Sequence, residues 1–386
     1  MVGRVAGPKI FLSVGEHSGE RIACDLMAEI RRRHAGARFL GVGGELMASQ
    51  GFELCYDLSR HSIMWFWDAM ARMPQLAGAI LRLGRLMARE RPDAVVAIDS
   101  PAFNFHMTRK ARRLGIPAFY YVAPQAWAYN HWRVVKLRKM VDHLLVVLPF
   151  EVEFFARHGI AATYVGHPLV ERLANQALDQ RLVERLSARP TLALLPGSRQ
   201  NEVRLSLPVM LEVARRLRAA RGELTVVVSS ATPSLDEPVG SMVATSGVAA
   251  EVVSGSTPEL LAAARRALVT SGTATLETAY FQTPALVLYR QPAFNLFMGR
   301  PWMTVDHIAL PNLIADEPFL DEYLTAGKPV DEMTARGLEI LTNEAVRERI
   351  VARQAAVRAR LLAEPHASRR AAEEICRVLE VARPAS

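Results

Sequence analysis

Five short loops in this 386-residue chain carry the residue types that handle phosphate, sugar hydroxyls or a transferable proton. Leu195-Pro196-Gly197-Ser198-Arg199-Gln200-Asn201-Glu202 puts a glycine turn, a serine and an arginine at the head of a helical pattern. Backbone N–H groups there, with a guanidinium fork that keeps its charge, suit a diphosphate. An arginine in a first helical turn opposes the macrodipole unless an anion sits nearby. The trailing Gly-Lys-Ser/Thr of a Walker loop is missing. In Thr270-Ser271-Gly272-Thr273-Ala274-Thr275-Leu276-Glu277, small hydroxyl residues around a helix start suit phosphate oxygens, and Glu277 one turn in could accept from ribose hydroxyls. The same residues would equally make an N-cap with Glu277 as capping-box partner. Asp99 ends an apolar strand in Ala97-Ile98-Asp99-Ser100-Pro101-Ala102-Phe103-Asn104, where poor solvation favours a raised pKa and proton abstraction; the alternative is that Asp99 or Ser100 caps the next helix. Ser13-Val14-Gly15-Glu16-His17-Ser18-Gly19-Glu20 is a glycine-bearing strand–helix turn with Gly15, Glu16 and Ser18 as ligand candidates. It is not GxGxxG, and packing alone also explains such turns. Gln125, Trp127 and Tyr129, in Tyr121-Val122-Ala123-Pro124-Gln125-Ala126-Trp127-Ala128-Tyr129, could bind and stack on a sugar or line a cleft, or pack as ordinary core. His17, His106 and His131 lack ligand spacing, so no bound metal and no cofactor are expected.

These loops need strand ends to hold them. Short apolar runs at 10–14, 39–42, 94–98, 118–122 and 144–148 alternate with helical patterns, which predicts βαβ units and a parallel sheet. After Gly166-His167-Pro168 the pattern restarts. A helix is expected over 170–187, strands at 192–195, 224–228, 251–253, 268–270 and 285–288, and a helical tail over 334–381. The expectation is α/β: two doubly wound domains facing a cleft, with the motifs at the carboxyl ends of strands. The boundaries are 1–168, 169–345 and a helical segment 346–386 that packs back on the first domain.

Composition narrows the class. Half the residues are hydrophobic and 22% charged, which is globular. Basic residues outnumber acidic ones by 47 to 39, giving a net charge of +8 and favouring anionic partners: nucleic acid, phosphorylated substrates or an acidic membrane surface. No recognition-helix or RNA-binding signature accompanies the charge, so nucleic acid is not expected. Cys24, Cys55 and Cys376, three and far apart, argue against a disulfide framework and fit a reducing cytoplasm. No apolar stretch of membrane-spanning length and no signal-peptide core are present. The apolar run Ile63-Met64-Trp65-Phe66-Trp67-Asp68-Ala69-Met70 reads either as core or as a lipid-facing patch.

In this order the loops resemble the lipid-A-disaccharide synthase family. The match runs through Ala123-Pro124-Gln125-Ala126-Trp127-Ala128, Arg133, Val141-Asp142-His143-Leu144-Leu145, Pro149-Phe150-Glu151, Val165-Gly166-His167-Pro168-Leu169, Leu195 to Arg199 with Glu202, the 270–277 segment and Pro311-Asn312-Leu313. The resemblance implies a GT-B fold of two Rossmann-like domains, with the nucleotide held mainly by the second. It implies an inverting transfer from UDP-2,3-diacylglucosamine to 2,3-diacylglucosamine 1-phosphate, giving a β-1,6 disaccharide phosphate and UDP. Asp99 would be the base and Arg199 would stabilise the departing diphosphate. Gly197, Ser198, Ser271, Gly272, Thr273, Glu277 and Asn312 would surround UDP, Glu202 would join the substrate-binding set, and the enzyme would sit peripherally on the cytoplasmic side of the inner membrane. An oligomer is compatible with all of this. Departures fall at His17 and Glu20, where the family reads Gly-Glu-Ala-Ser-Gly-Asp, at Trp65 and Asp68, at Ala102, and over 316–325. They crowd the acceptor and acyl side, which implies retained UDP-sugar use with altered acyl length or acceptor. The competing readings are a GT-B transferase with another lipid or non-lipid acceptor, and a non-catalytic paralogue that binds UDP or lipid.

Overall fold

The computed structural model describes residues 7–15, 17–57, 66–128, 131–299 and 302–382. Glu16, Tyr129, the side chains of His17 and Ser18, and the side chains of the 63–70 run lie outside the described set. The chain divides into two units, Met1–Pro168 with Glu364–Ser386, and Leu169–Ala363.

Unit 1 is built on a seven-stranded sheet of order β3-β2-β1-β4-β5-β6-β7. The strands are β1 (Lys9–Val14), β2 (Arg38–Gly43), β3 (Glu53–Asp57), β4 (Ala94–Ile98), β5 (Ala118–Tyr121), β6 (His143–Val146) and β7 (Ala162–Tyr164). Every pairing is parallel. Its helices are α1 (His17–Arg33), α2 (Glu45–Ser49), α3 (Phe66–Glu90), α4 (Pro101–Arg113), α5 (His131–Met140) and α6 (Glu151–Arg157). The central strands are covered on both faces, which is why they read as unbroken apolar runs: Ile10, Phe11 and Leu12 of β1 and all of β4 are buried. Burying a side chain such as Phe11 contributes about 1.5–3 kcal/mol.

Unit 2 repeats the plan with six parallel strands of order β10-β9-β8-β11-β12-β13. They are β8 (Thr191–Leu195), β9 (Thr225–Ser230), β10 (Ala250–Ser254), β11 (Arg266–Thr270), β12 (Ala285–Arg290) and β13 (Glu322–Thr325). The helices are α7 (Pro168–Asn175), α8 (Gln180–Ser187), α9 (Gln200–Ala220), α10 (Asp236–Thr245), α11 (Thr257–Ala263), α12 (Thr273–Tyr280), α13 (Ala293–Gly299), α14 (Leu310–Ala315), α15 (Val330–Thr342) and α16 (Glu344–Leu362); α17 (Ala367–Ala382) follows. The helix expected over 170–187 is two, because Asp179 starts a new one by accepting from the amides of Arg181 and Leu182.

The helical segment expected to act as one piece from 346 is divided. Helix α16 stays with unit 2: Gln354 donates to the Thr283 carbonyl at 2.8 Å and Arg360 to that of Ile314 at 2.7 Å. Helix α17 joins unit 1, with Ala371, Ala372 and Ile375 buried and Glu374 3.2 Å from His143 Nε2. Each sheet reverses its strand order once at its centre, between β1 and β4 and between β8 and β11. Side-by-side registers, Val14 with Ile98 and Leu195 with Val269, put the following loops together at each reversal. Ligands of open α/β sheets bind at such points.

Candidate active site

At the reversal in unit 1 the chain leaves β4 through two consecutive non-glycine residues in the left-handed region, Asp99 at φ 52 and Ser100 at φ 45. Each costs about 1–3 kcal/mol and persists only where its surroundings impose it. Ser100 occupies the N-cap position of α4 yet makes no side-chain cap hydrogen bond, so the capping alternative fails for it. Buried Asn104 holds the bend instead. Its Nδ2 donates to the carbonyls of Ser13 (3.1 Å), Ile98 (3.1 Å) and Asp99 (2.7 Å), while its Oδ1 accepts from Ser13 Oγ at 2.6 Å. The Tyr120 hydroxyl adds a second donor to the Asp99 carbonyl at 2.6 Å. Asp99 itself is partly exposed.

Gly15 follows β1, and Gly19 lets α1 close on the sheet, since a Cβ there would lie 2.9 Å from Val14 Cγ1. Glu20 is 3% exposed and accepts from the Leu46 amide at 3.2 Å. Gly44 makes room for it, because a Cβ at 44 would meet the Glu20 carboxylate at 2.4 Å. This departure from the family pattern therefore lies in the scaffold.

After β5 the chain turns through Val122 at φ 58, and Gln125 is the exposed residue between buried Ala123, Pro124, Ala126, Trp127 and Ala128. Trp127 does not offer a stacking face: it is 5% exposed, edge-on to Phe150 at 5.1 Å, and its Nε1 donates to Glu151 Oε1 at 2.9 Å. Glu151 also accepts from the amides of Val147 (3.1 Å) and Leu148 (3.0 Å). Burial nevertheless pushes its carboxyl up to about 7, against the lowering effect of those three donors. Burial pushes His167 down to about 4, which keeps its imidazole neutral at physiological pH.

At the reversal in unit 2, β8 leads to Gly197 at φ 116, followed by exposed Ser198 and Arg199 at the start of α9. Glu202 faces inward: its Oε2 accepts from the amides of Ser198 (3.1 Å) and Arg199 (3.3 Å), and its Oε1 from Arg199 Nη1 (3.1 Å). It shapes the loop, and only glycine fits at 197, where a Cβ would lie 2.5 Å from Glu202 Oε2.

Beside this loop, β11 leads through Ser271 to Gly272 at φ 142, which opens α12. Gly272 and Thr273 are exposed, and a Cβ at 272 would find no atom within 4 Å. The capping-box alternative for Glu277 fails, because Gly272 is the N-cap and Thr275 occupies the box position. Glu277 has Arg172 as a distant ionic partner at 3.9 Å, and burial raises its carboxyl to about 7 although Arg172 opposes the shift. A poorly solvated carboxyl is suited to accept from incoming hydroxyls.

Asn312 is also turned inward. It is fully buried and spent internally, its Nδ2 donating to Leu320 O (2.8 Å) and Glu322 Oε1 (2.7 Å), its Oδ1 accepting from Leu320 N (2.9 Å). Glu322 in turn takes the amides of Ile308 (2.7 Å) and Ala309 (2.9 Å), and Ser271 Oγ donates to Ile308 O at 2.8 Å. Asn312 thus braces the segment on which Ser271 rests.

In unit 1 the residues left at least partly exposed are therefore Asp99 and Gln125, with Trp127 turned inward; in unit 2 they are Ser198, Arg199, Gly272 and Thr273, with Glu202, Glu277 and Asn312 turned inward. Ser13, Asn104, Tyr120, Glu151 and Glu322 were missed as supports; the available signal was a polar residue on an apolar strand or helix face. Also missed was an exposed aromatic surface on and after α13, with Phe294 72%, Phe297 77%, Met298 51% and Trp302 54% exposed. Among the described residues no group of three His, Cys, Asp or Glu could hold a metal, and no helix is long and apolar enough to cross a membrane.

Known proteins share this layout. The profile of the lipid-A-disaccharide synthetase family matches residues 10–376. A lipid-A-disaccharide synthase of Myxococcus xanthus is 37% identical over 376 residues, covering 96% of this chain and 98% of that protein. One from Nitrosococcus oceani is 30% identical over 346 residues, covering 89% of each. Among solved structures, the UDP complex of S. aureus MnaA superposes with a TM-score of 0.67 at 14% identity, over 98% of this chain and 99% of that one. The UDP-GlcNAc 2-epimerase of Neisseria meningitidis bound to UDP-GlcNAc gives 0.65 at 11% identity, over 97% and 100%. At such identities these two speak for the fold, which is GT-B. The sequence matches go further, running through both units and every loop described above, and by them the chain belongs to the lipid-A-disaccharide synthetase family.

Proposed function

We propose that the chain joins UDP-2,3-diacylglucosamine to 2,3-diacylglucosamine 1-phosphate with inversion, giving the β-1,6 disaccharide 1-phosphate and UDP. The observation that carries this reading is the complementary chemistry at the two sheet reversals. In unit 2 an exposed arginine and two glycine turns stand ready for a diphosphate, with the Glu277 carboxyl one helical turn behind for a ribose. In unit 1 a single carboxylate is held on a strained bend at the end of a buried strand.

In the reaction, the Asp99 carboxylate takes the proton of the acceptor 6-hydroxyl as that oxygen bonds to the anomeric carbon of the donor. The bond from that carbon to the diphosphate oxygen breaks, and its electron pair leaves with UDP. Arg199 and the amides around Gly197 and Gly272 neutralise the charge as it develops. Both substrates carry acyl chains, so the enzyme works as a peripheral protein at the cytoplasmic surface of the inner membrane. The net charge of +8 and the exposed aromatic surface of α13 support that placement.

The test is incubation of purified protein with the two acylated glucosamines, with mass spectrometry for the disaccharide and an assay for released UDP. Folded protein that yields neither product overturns the reading. A set of donors of defined acyl length then tests whether the departures at Trp65, Asp68 and Ala102 alter preference; the usual preference would remove that idea.

A further inference from the structure

We propose that Asn104 and Tyr120 are positioning residues of the transfer reaction, locking the left-handed bend at Asp99–Ser100 and so setting the direction in which the Asp99 carboxylate leaves the backbone. The inference rests on the assignment of Asp99 as base and deepens it.

A backbone that turns through two non-glycine left-handed residues does not stay there unaided. Around Asp99 both backbone polar groups are engaged. Its N–H donates to the Tyr121 carbonyl at 3.2 Å, and its carbonyl accepts from Asn104 Nδ2 at 2.7 Å and from the Tyr120 hydroxyl at 2.6 Å. With both groups fixed, φ and ψ of Asp99 are fixed, and with them the Cα–Cβ direction. Asn104 cannot turn over, because Ser13 Oγ donates to its Oδ1 at 2.6 Å and so keeps the amide NH2 aimed at the carbonyls.

Ser13, Asn104 and Tyr120 are all 0% exposed, so water does not compete for these bonds. Burial and the Asp99 charge both raise the Tyr120 pKa, against a smaller opposing effect of Asn104, which keeps the hydroxyl protonated and donating. The three side chains come from the ends of β1 and β5 and the first turn of α4. Asn104 and Tyr120 converge on the Asp99 carbonyl, and Ser13 holds Asn104 in place.

The experiment compares Tyr120→Phe, Asn104→Ala and Asn104→Ala with Ser100→Gly, using Asp99→Asn as reference. It reads kcat, both KM values, UDP affinity by calorimetry and thermal midpoint. Tyr120→Phe keeps the ring and its packing, so it folds even if the asparagine variant does not. A displaced base costs on the order of 100-fold in rate. We therefore expect kcat to fall about 10-fold in Tyr120→Phe and about 100-fold in Asn104→Ala, with KM and UDP affinity unchanged. Glycine enters the left-handed region without a Cβ penalty, so adding Ser100→Gly should recover about 10-fold of the loss. A purely structural role would lower the thermal midpoint, leave kcat of the folded fraction intact and give no rescue, and that pattern overturns the proposal. Full kcat in Tyr120→Phe and Asn104→Ala while Asp99→Asn is inactive overturns the lock alone. Full kcat in Asp99→Asn overturns the base assignment and the purpose of the lock with it.

Discussion

After β11 the chain turns through Gly272 at φ 142; after β4, the equivalent strand of the other sheet, it turns through Asp99 and Ser100 at φ 52 and 45. The two turns solve the same geometric problem for opposite customers. On the proposed reading the turn at Gly272 meets a diphosphate with backbone amides, and any side chain in front of them is an obstacle. Glycine supplies the positive φ at no steric cost and leaves the space empty. On the same reading Asp99 is a base and must present a side chain, so glycine is barred there and the strain is held by buried hydrogen bonds from Asn104 and Tyr120. The difference lies in what each turn leaves in front of it: open space and backbone at Gly272, a side chain on a strained and braced backbone at Asp99.

The sharpest way to break this contrast is Asp99→Asn. Loss of a general base should lower kcat about 1000-fold, while UDP affinity measured by calorimetry stays at the wild-type value. A parallel loss of UDP binding would mean that the two turns do not divide the work. Arg199→Ala comes next. It should lower kcat about 100-fold, in the range seen for removing one donor to a developing anion, and weaken UDP binding in the same calorimetric assay.

Gly197→Ala sharpens the contrast from the other side. The added Cβ lies 2.5 Å from Glu202 Oε2 in a left-handed conformation, so UDP affinity should fall about 10-fold, while the KM for the acceptor holds steady.

The smallest effect is a pH dependence. Burial raises Glu277 to about 7. Ribose hydroxyls donate to the ionised carboxylate, so binding favours ionisation and UDP affinity should increase as pH rises through about 7, then level off. The phosphate group titrates near 6 itself, so the quantity to compare is the difference between wild type and Glu277→Gln, which should be a few-fold and vanish at low pH. The ligand-free protein runs the other way. A pKa raised on folding gives stability that is complete below the ordinary carboxylate value of 4.5 and is lost as pH rises toward about 7.

Most of the sheet framework is legible in the chain because its central strands are apolar on both faces; the runs at 10–14, 94–98, 192–195 and 268–270 fall on β1, β4, β8 and β11. The edge strands β3, β7 and β13 escape, being short and only partly buried. The loops that carry chemistry are legible by residue type, but residue type does not say which way a side chain points. Trp127, Glu202 and Asn312 have ligand-binding chemistry and turn inward to hold the loops. Ser100 looks like a helix cap because the backbone angle that disables it as one leaves no mark in the sequence. The aromatic surface at α13 is spread over Phe294, Phe297, Met298 and Trp302, too short a pattern to separate from core.

The assignment of α17 to unit 1 has a consequence for biosynthesis. The ribosome delivers β1 to β7 first, then all of unit 2, and only afterwards the helix that packs on α1 and covers the start of β6. Unit 2 is contiguous and can mature while still tethered, whereas the earlier unit must wait with an apolar flank uncovered until its last helix emerges. Nascent chains stalled before Ala367 should therefore expose unit 1, and not unit 2, to proteases and chaperones.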